Sequence, residues 1–489
     1  MQFKKLERED LPRLLPYFRA QSMRLSNYTA GTAFIWSKYL DTHFAEAEGC
    51  LILRDRYVKQ EYYYCPVSAD GDEEAERRAL GAIEEHCRQN NVRLHFTAVP
   101  REKLPEYVLR YGTDLHISNI RRWRDYLYEK ESFQSYAGGK YSGQRNHVNK
   151  FKKTFPDWQF SVYTQADKEE LRAFLQEYSA SQFAKNETYA DEEMKGVFEM
   201  LCCFEKLGMQ AGLLRVNGKI AAFSAGEICG DTMYVHVEKA LREFPGAYPT
   251  VAQLFAQTFC GEQVRYLNRE DDAGDMGLRK SKLQYLPCAV LDKYNLVVKR
   301  SFDGLAEIPR IETPRLLLKE IPDEDASAFA AMDKDDALNR YWGANWRDYA
   351  PKNPSDLWFV KDLRADFRKK RELPLGIYCG GALVGEVVLH KFGYHAEAEI
   401  GMRVLPASQG KGIAREALRA LSDYGFSKLG LERIEARAHK ENEPSARALL
   451  GAGMRPCGED GDFLLFYKTP SMRSTRRIPH RESGRTNRF

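Results

Sequence analysis

The chain has 489 residues, with 74 lysines and arginines against 70 aspartates and glutamates, a net charge of +4. That length exceeds one hydrophobic core, and at roughly 150 residues per domain it implies about three. The balance of charge excludes a histone-like basic field while leaving room for local basic grooves. The ten cysteines include no Cys-x-x-Cys pair, the ten histidines show no ligand spacing, and no segment reaches about 18 apolar residues. The opening MQFKKLEREDLPRLL lacks the apolar stretch of a signal peptide. The expectation is a cytoplasmic protein of a reducing compartment, with buried thiols, no metal and no transmembrane segment.

In chain order, β-rich runs at 51–57 and 61–67 followed by a helical pattern at 73–87 predict a hairpin and a helix. Residues 139–153 read as a basic helix, with Lys140, Arg145, Lys150, Lys152 and Lys153 beside Tyr141, His147, Asn149 and Phe151. Such a face suits phosphates and stacked bases, and a solvated basic face accounts for the same composition. A second hairpin follows at 212–216 and 220–228 around Asn217-Gly218, then a strand at 232–238 and a helix at 250–259. The turn between that strand and helix offers one glycine, Gly246, among Phe244 and Tyr248, which is little open backbone for a pyrophosphate.

Residues 268–282 place an acidic turn (Glu270, Asp271, Asp272, Asp275) directly before a basic one. Its oxygens lack the register of a calcium loop, and Arg279 and Lys282, three apart, share a helical face suited to one anion. After a strand-like run at 289–298, polar residues and Pro309 mark a linker. The same theme then returns: a hairpin at 375–378 and 383–389 around Gly380-Gly381, and a strand leading through Gln409-Gly410-Lys411-Gly412-Ile413-Ala414 into a helix with Ala417, Leu418, Leu421 and Tyr424 on its apolar face. The tail after Pro470, with six arginines, reads as disordered: a tether to RNA or acidic lipid, or a plain extension.

Gly410 and Gly412 allow a ligand close to the backbone, and free N–H groups at the helix start favour an anion by roughly 0.3–1 kcal/mol. No Gly-Lys-Ser/Thr follows the glycines and no Gly-x-Gly-x-x-Gly is complete, so neither a Walker loop nor a dinucleotide fingerprint fits. The run resembles the acetyl-CoA loop of the GNAT superfamily. Thr313-Pro314-Arg315-Leu316-Leu317-Leu318-Lys319 and Asn442-Glu443-Pro444-Ser445 resemble the branch that acetylates protein N-termini and related small amines. The resemblance covers about residues 310–468 and implies an N-acetyltransferase using acetyl-CoA on an amine, either a protein N-terminus or a small molecule. It implies cofactor contacts at Met402, Val404, Gln409, Gly410, Lys411, Gly412, Ile413, Ala414 and Asn442, a base at Glu399 with Glu397 in reserve, and a proton for the leaving sulfur from Ser445. Helix capping is an equally ordinary use of Asn442 and Ser445.

Residues 1–300 carry a second resemblance, to the phosphatidylglycerol lysyltransferase C-terminal domain family. It rests on the Gly-Lys…Arg-Asn-His-x-Asn-Lys-Phe helix, on Glu238-Lys239-Ala240 followed by Gly246-Ala247-Tyr248, and on Glu270-Asp271-Asp272-x-Gly-x-x-Gly-Leu-Arg279-Lys280-x-Lys282. It implies two tandem GNAT-like modules, aminoacyl-tRNA as donor, a lipid or small-molecule acceptor with peripheral lipid contact, and Lys140, Arg145, Asn149, Lys150, Arg279 and Lys282 as contacts for the anionic donor. The alternative is a non-catalytic module that binds substrate or RNA for a single acetyltransferase. The expected fold is α/β (α+β), with three GNAT-like modules of mixed, mostly antiparallel sheet flanked by helices. The expected boundaries are 1–130, 131–300, a linker at 301–312, 313–468 and a tail at 469–489.

Overall fold

A computed structural model describes residues 1–57, 60–90, 92–182 and 188–470, so the arginine-rich tail lies outside the described residues. The chain divides into two compact units, Met1–Lys299 and Arg300–Phe489. The first unit holds an eight-stranded and a seven-stranded sheet, and the second holds one eight-stranded sheet.

Each sheet is antiparallel except at one place, where two strands run parallel and a helix joins them. Gln60–Tyr63 and His95–Val99 are bridged by Glu73–Gln89, Thr232–Ala240 and Tyr266–Asn268 by Ala247–Phe259, and Glu397–Val404 and Arg433–His439 by Ile413–Lys428. A parallel pair cannot be closed by a tight turn, so the helix is the crossover that the pairing requires. The theme read three times in the sequence is therefore three mixed sheets of one construction.

The hairpins form where turn chemistry calls for them. Asn217 and Gly218 both take positive φ, 49° and 82°, between Gln210–Val216 and Lys219–Cys229, and Gly380 and Gly381 take 60° and 86° between Glu372–Cys379 and Ala382–His390. Positive φ at both central positions suits the twist of the flanking strands, and Asn and Gly tolerate it best. Helix Ile413–Lys428 buries Ile413, Ala417, Leu418 and Leu421 against its sheet, but Tyr424 is only half-buried. Gly425 takes the central contact instead: a Cβ there would stand 3.0 Å from Leu431 Cδ1 and 3.2 Å from Ile434 Cδ1.

The first two sheets exchange strands. Asp125–Glu129, which precedes the division at residue 130 expected from sequence, lies in the second sheet between Ala289–Leu291 and Tyr266–Asn268. Tyr294–Val298, from the end of the unit, sits in the first sheet between His95–Val99 and Leu115–Asn119.

Candidate active sites

In the C-terminal unit, the parallel strands Glu397–Val404 and Arg433–His439 pair at only three positions, the last being Glu399 with Glu435. From Ile400 to Val404 the first strand stays paired on its other side with 385–389, so a wedge opens between the two parallel strands. Below it, Gln409 Nε2 donates to Val404 O at 2.9 Å, and Lys411 Nζ to Ala407 O at 2.8 Å, which fixes the loop's course. Gly410 and Gly412 take φ of 74° and 78°; nothing lies within 4 Å of a Cβ placed on Gly410. Gly412 is the residue before the first turn of Ile413–Lys428, so the N–H groups of that turn face the open loop.

Two arginines that sequence reasoning did not single out flank this loop. Arg315 Nη2 and Arg415 Nη2 lie 3.4 and 3.5 Å from a Cβ placed on Gly412. Arg315 is strapped down by Glu416 (Nε to Oε2, 2.7 Å) and by Lys411 O (2.9 Å), and Thr313 Oγ1 donates to Glu416 Oε1 at 2.6 Å. A groove of about 670 Å³ runs along this face, lined by Pro314, Arg315, Gly412, Arg415, Arg419 and Tyr424 among others. Arg415 stands one helical turn after Gly412, a spacing visible in the sequence once the loop is recognised.

Of the expected cofactor contacts, Val404 and Ile413 turn their side chains into the core (each 5% exposed), leaving only their backbone for a ligand. Asn442 Oδ1 accepts from Ser445 N at 3.2 Å, so this side chain caps helix Glu443–Gly451. Glu399 sits at the fork of the wedge, 7% exposed, with Lys391 Nζ at 2.9 Å, Arg437 Nε at 3.7 Å and His390 Nε2 at 3.8 Å. Burial alone would raise its pKa, but His390, Lys391 and Arg437 hold it below the ordinary value. It is thus an ionised carboxylate, a weaker base than the sequence suggested.

The aromatic residues between 341 and 346 do not gather in one place. Trp346 packs edge-on against Phe359 in the core. Trp342 lies over Arg403 (4.7 Å) and 3.5 Å from a Cβ placed on Gly401, and Tyr341 stands 4.9 Å from His439. Arg403 is itself buried between Glu386 and Asp333, at 2.6 and 2.5 Å.

In the N-terminal unit the acidic run does not form one cluster. Glu270 and Ala273 take left-handed φ of 56° and 47°, which turns successive carboxylates in different directions. Glu270 Oε1 meets His236 Nδ1 at 2.8 Å and accepts from Thr32 Oγ1 at 3.1 Å, while His236 Nε2 meets Glu227 Oε1 at 3.0 Å. Burial opposes protonation of His236, but the hydrogen bonds to Glu227 and Glu270 raise it to about 9. Asp271 lies 3.9 Å from Lys293 Nζ, which pairs at 2.6 Å with the fully buried Asp125. Asp272 holds Arg279 through two contacts of 2.8 Å and accepts from Tyr126; against the effect of burial these lower it to about 2. Asp275 caps the next helix by accepting from Leu278 N at 2.7 Å. Among the described residues no group of three or more His, Cys, Asp or Glu is placed to hold a metal ion.

The expected anion pair Arg279 and Lys282 is therefore differently employed. Arg279 is neutralised by Asp272, and Lys282 is buried, donating to the carbonyls of Arg269 (2.5 Å) and Asp271, with burial lowering it to about 8. On helix Ser142–Thr154, Asn149 and Lys150 are exposed, as is Lys140 just before it, whereas Arg145 is tied to the carbonyls of Tyr136 and Gly138. The turn at Gly246 is closed: a Cβ there would stand 2.6 Å from His147 O and 3.0 Å from Phe151 Cβ, both on helix Ser142–Thr154, whereas Gly412, likewise the residue before its helix, meets only arginine side-chain ends at 3.4 and 3.5 Å.

Comparison with known proteins assigns both units. A family model described as phosphatidylglycerol lysyltransferase, C-terminal, matches residues 19–297, and one described as an acetyltransferase (GNAT) domain matches 315–455. The uncharacterized N-acetyltransferase YoaA of Bacillus subtilis is 33% identical over 165 residues, which is 33% of this chain and 92% of that protein. Spermidine N(1)-acetyltransferase of Escherichia coli is 29% identical over 143 residues, 29% of this chain and 74% of its own. A conserved protein of unknown function from Bacteroides thetaiotaomicron has a solved structure that matches 61% of this chain and 100% of its own, with a TM-score of 0.58 and 28% identity. The chain belongs to the phosphatidylglycerol lysyltransferase C-terminal family through its first unit, and its second unit is a GNAT acyltransferase domain.

Proposed function

We propose that residues 313–468 transfer an acetyl group from acetyl-CoA to an amine, in a cytoplasmic, reducing setting. The observation that carries this reading is the wedge between Glu397–Val404 and Arg433–His439, which opens directly above the Gly410–Gly412 loop at a helix N-terminus. All ten cysteines stand free, which supports the reducing setting.

Acetyl-CoA would supply an activated acetyl thioester. The backbone of Met402 and Val404 offers a strand edge to an extended pantetheine arm, and the N–H groups from Gly410 to Ala414 offer donors to a pyrophosphate. Arg415 adds charge beside that pyrophosphate, Arg315 offers it an N–H donor while paired with Glu416, and the groove past Arg419 gives room for the nucleotide end. Glu399 draws the alkylammonium to the fork of the wedge. An amine near pKa 10.4 holds its proton far more tightly than a carboxylate below 4.5. The ammonium first gives up one proton to solvent, since only the neutral amine can attack, and Glu399 takes the second proton once attack on the thioester carbonyl has made the nitrogen acidic. Ser445, half-buried at the start of its helix, would donate a hydrogen bond to the leaving sulfur.

The test is release of free thiol from acetyl-CoA by the purified chain with a panel of amines: spermidine, peptides with free N-termini and small primary amines. Turnover with one class names the acceptor. Tight acetyl-CoA binding with no turnover on any amine overturns amine transfer while leaving the cofactor assignment standing.

For the N-terminal unit, exposed Lys140, Asn149 and Lys150 support an aminoacyl-tRNA-dependent transferase with a lipid or small-molecule acceptor. Incubation with charged tRNA and lipid extract separates this from a pure binding module. Ribonuclease-sensitive transfer that Lys140→Glu with Lys150→Glu abolishes supports chemistry. RNA binding with no transferred amino acid supports a binding module that serves the acetyltransferase.

A further inference from the structure

In the N-terminal unit the segment that ends helix Leu11–Ala20 lies across the hairpin turn at Gly230, where an added Cβ would stand 3.7 Å from Gln21 O. Segment and turn enclose a cavity of about 230 Å³, lined by Arg19, Gln21, Ser22, Arg24, Asp231 and Tyr234 among others. None of these residues enters the ion pairs around His236, Lys293 and Arg279.

The wall of this cavity is rich in hydrogen-bond donors and short of free acceptors. Met23 N donates to Gln21 Oε1 at 2.7 Å, which fixes the amide and points its Nε2 toward the Tyr234 hydroxyl, at a long 3.5 Å. Tyr234 is 1% exposed, and among the described residues nothing accepts its proton. Burial pushes that phenol far above its ordinary pKa, so the proton stays in place. A buried donor left without an acceptor is costly, so such groups in folded proteins ordinarily meet a partner. Asp231, the one carboxylate lining the cavity, is already taken: Arg24 holds its two oxygens at 3.0 and 2.7 Å, and Thr232 Oγ1 donates to it at 2.9 Å. Arg19 is the charge left over. Its guanidinium has no carboxylate or carbonyl partner among the described residues, yet it has a fixed berth, because Gly208 makes room for it: a Cβ there would stand 2.6 Å from Arg19 Nη2.

We propose that this cavity binds one small oxyanion, the carboxylate or phosphate end of a compact metabolite, between the Arg19 guanidinium and the Tyr234 hydroxyl. The anion supplies the acceptor that Tyr234 lacks and the charge that Arg19 lacks, and Gln21 Nε2 and Ser22 Oγ add donors. The volume is below the roughly 300–1,000 Å³ of pockets for drug-sized ligands, which keeps the ligand small. A nucleic acid backbone would call for a row of free cations, and a metal ion for a free carboxylate; this wall offers neither. The site does not depend on the reaction that either unit performs.

The experiment is equilibrium dialysis of the full chain against labelled inorganic phosphate and, separately, labelled acetate, at low ionic strength. Expected is a site that Arg19→Ala loosens by at least about tenfold, as for a hydrogen bond to a charged group, and Tyr234→Phe by about 2- to 10-fold. The Gly410–Gly412 loop is the same in these proteins, so the difference from the wild type reads this cavity alone. The probe held more tightly tells a phosphate end from a carboxylate end. Arg101→Ala removes an exposed charge that does not line the cavity and should leave binding unchanged. Arg19 is exposed and Tyr234→Phe deletes a single oxygen, so an unchanged melting temperature without added anion shows that each variant is folded. Binding of neither anion by the wild type, equal binding by Arg19→Ala, or an equal loss in Arg101→Ala each overturns the proposal.

Discussion

The turn at Gly410–Gly412 and the turn before Ala247 occupy equivalent places, each between the strand and the crossover helix of its sheet, and they differ in what lies over them. Gly412, the residue before its helix, meets only the ends of two arginine side chains at 3.4 and 3.5 Å, whereas Gly246 in the same place is sealed by His147 O and Phe151. The left-handed backbone is the same, φ of 78° at Gly412 against 92° at Gly246, so glycine at such a turn does not by itself mean a phosphate site. What decides is whether a neighbouring helix claims the volume. In the N-terminal unit the basic helix does, and the polar chemistry has moved to a buried line of ion pairs instead.

The largest expected effect tests that separation. Asp125→Ala strips the partner from buried Lys293 and should cost the N-terminal unit about 3–5 kcal/mol in urea unfolding, with acetyl-CoA affinity by calorimetry unchanged. An equal loss of cofactor binding would show that the two chemistries are not independent. Next, Glu399→Gln should lower kcat by about 10²–10⁴-fold with little change in acetyl-CoA Kd. Because Glu399 is held below its ordinary pKa, its acid limb in the wild-type rate profile should lie below pH 4.5, and a limb near neutrality would assign the proton to another group.

Gly412→Val forces a β-branched residue to positive φ beside Arg315, which should cost about 1–3 kcal/mol and weaken acetyl-CoA binding by about 5- to 150-fold. Gly246→Val should lower the melting temperature of the N-terminal unit and leave cofactor affinity alone. If both variants reduced acetyl-CoA affinity, the contrast between open and sealed turn would fail.

The mildest perturbation is pH. His236 is raised to about 9 in the fold against 6.5 unfolded, so the stability it contributes is complete below pH 6.5 and lost as pH rises through about 9. Melting temperatures from pH 6 to 10 should fall in the wild type and stay flatter in His236→Gln. Parallel curves would remove His236 from the account.

The construction of each sheet was legible because hairpin turns and helical periodicity are local signals, as at Asn217-Gly218 and Gly380-Gly381. The exchange of Tyr294–Val298 was not, since a five-residue strand carries no mark of its partner. The glycine loop and Glu399 stood out by their order along the chain. Arg415 did not, because an arginine on a helix looks alike whether or not a glycine loop lies beside it. Glu270, Asp271 and Asp272 read as one acidic turn because sequence shows their charges together and hides the left-handed backbone that sends them to His236, Lys293 and Arg279. Lys282 misled for the same reason: its charge suggested solvent, and the fold put it inside.

The strand exchange also sets an order of events. On a ribosome the first sheet cannot acquire Tyr294–Val298 until nearly all of the unit's 299 residues have been made, so its interior gap between His95–Val99 and Leu115–Asn119 stays open through most of synthesis. Contacts spanning some 200 residues of sequence make slow folding and exposed strand edges the rule. A nascent chain halted near residue 130 would present that unfilled slot to any strand in reach, and a peptide spanning 294–298 supplied in trans is the natural plug for it.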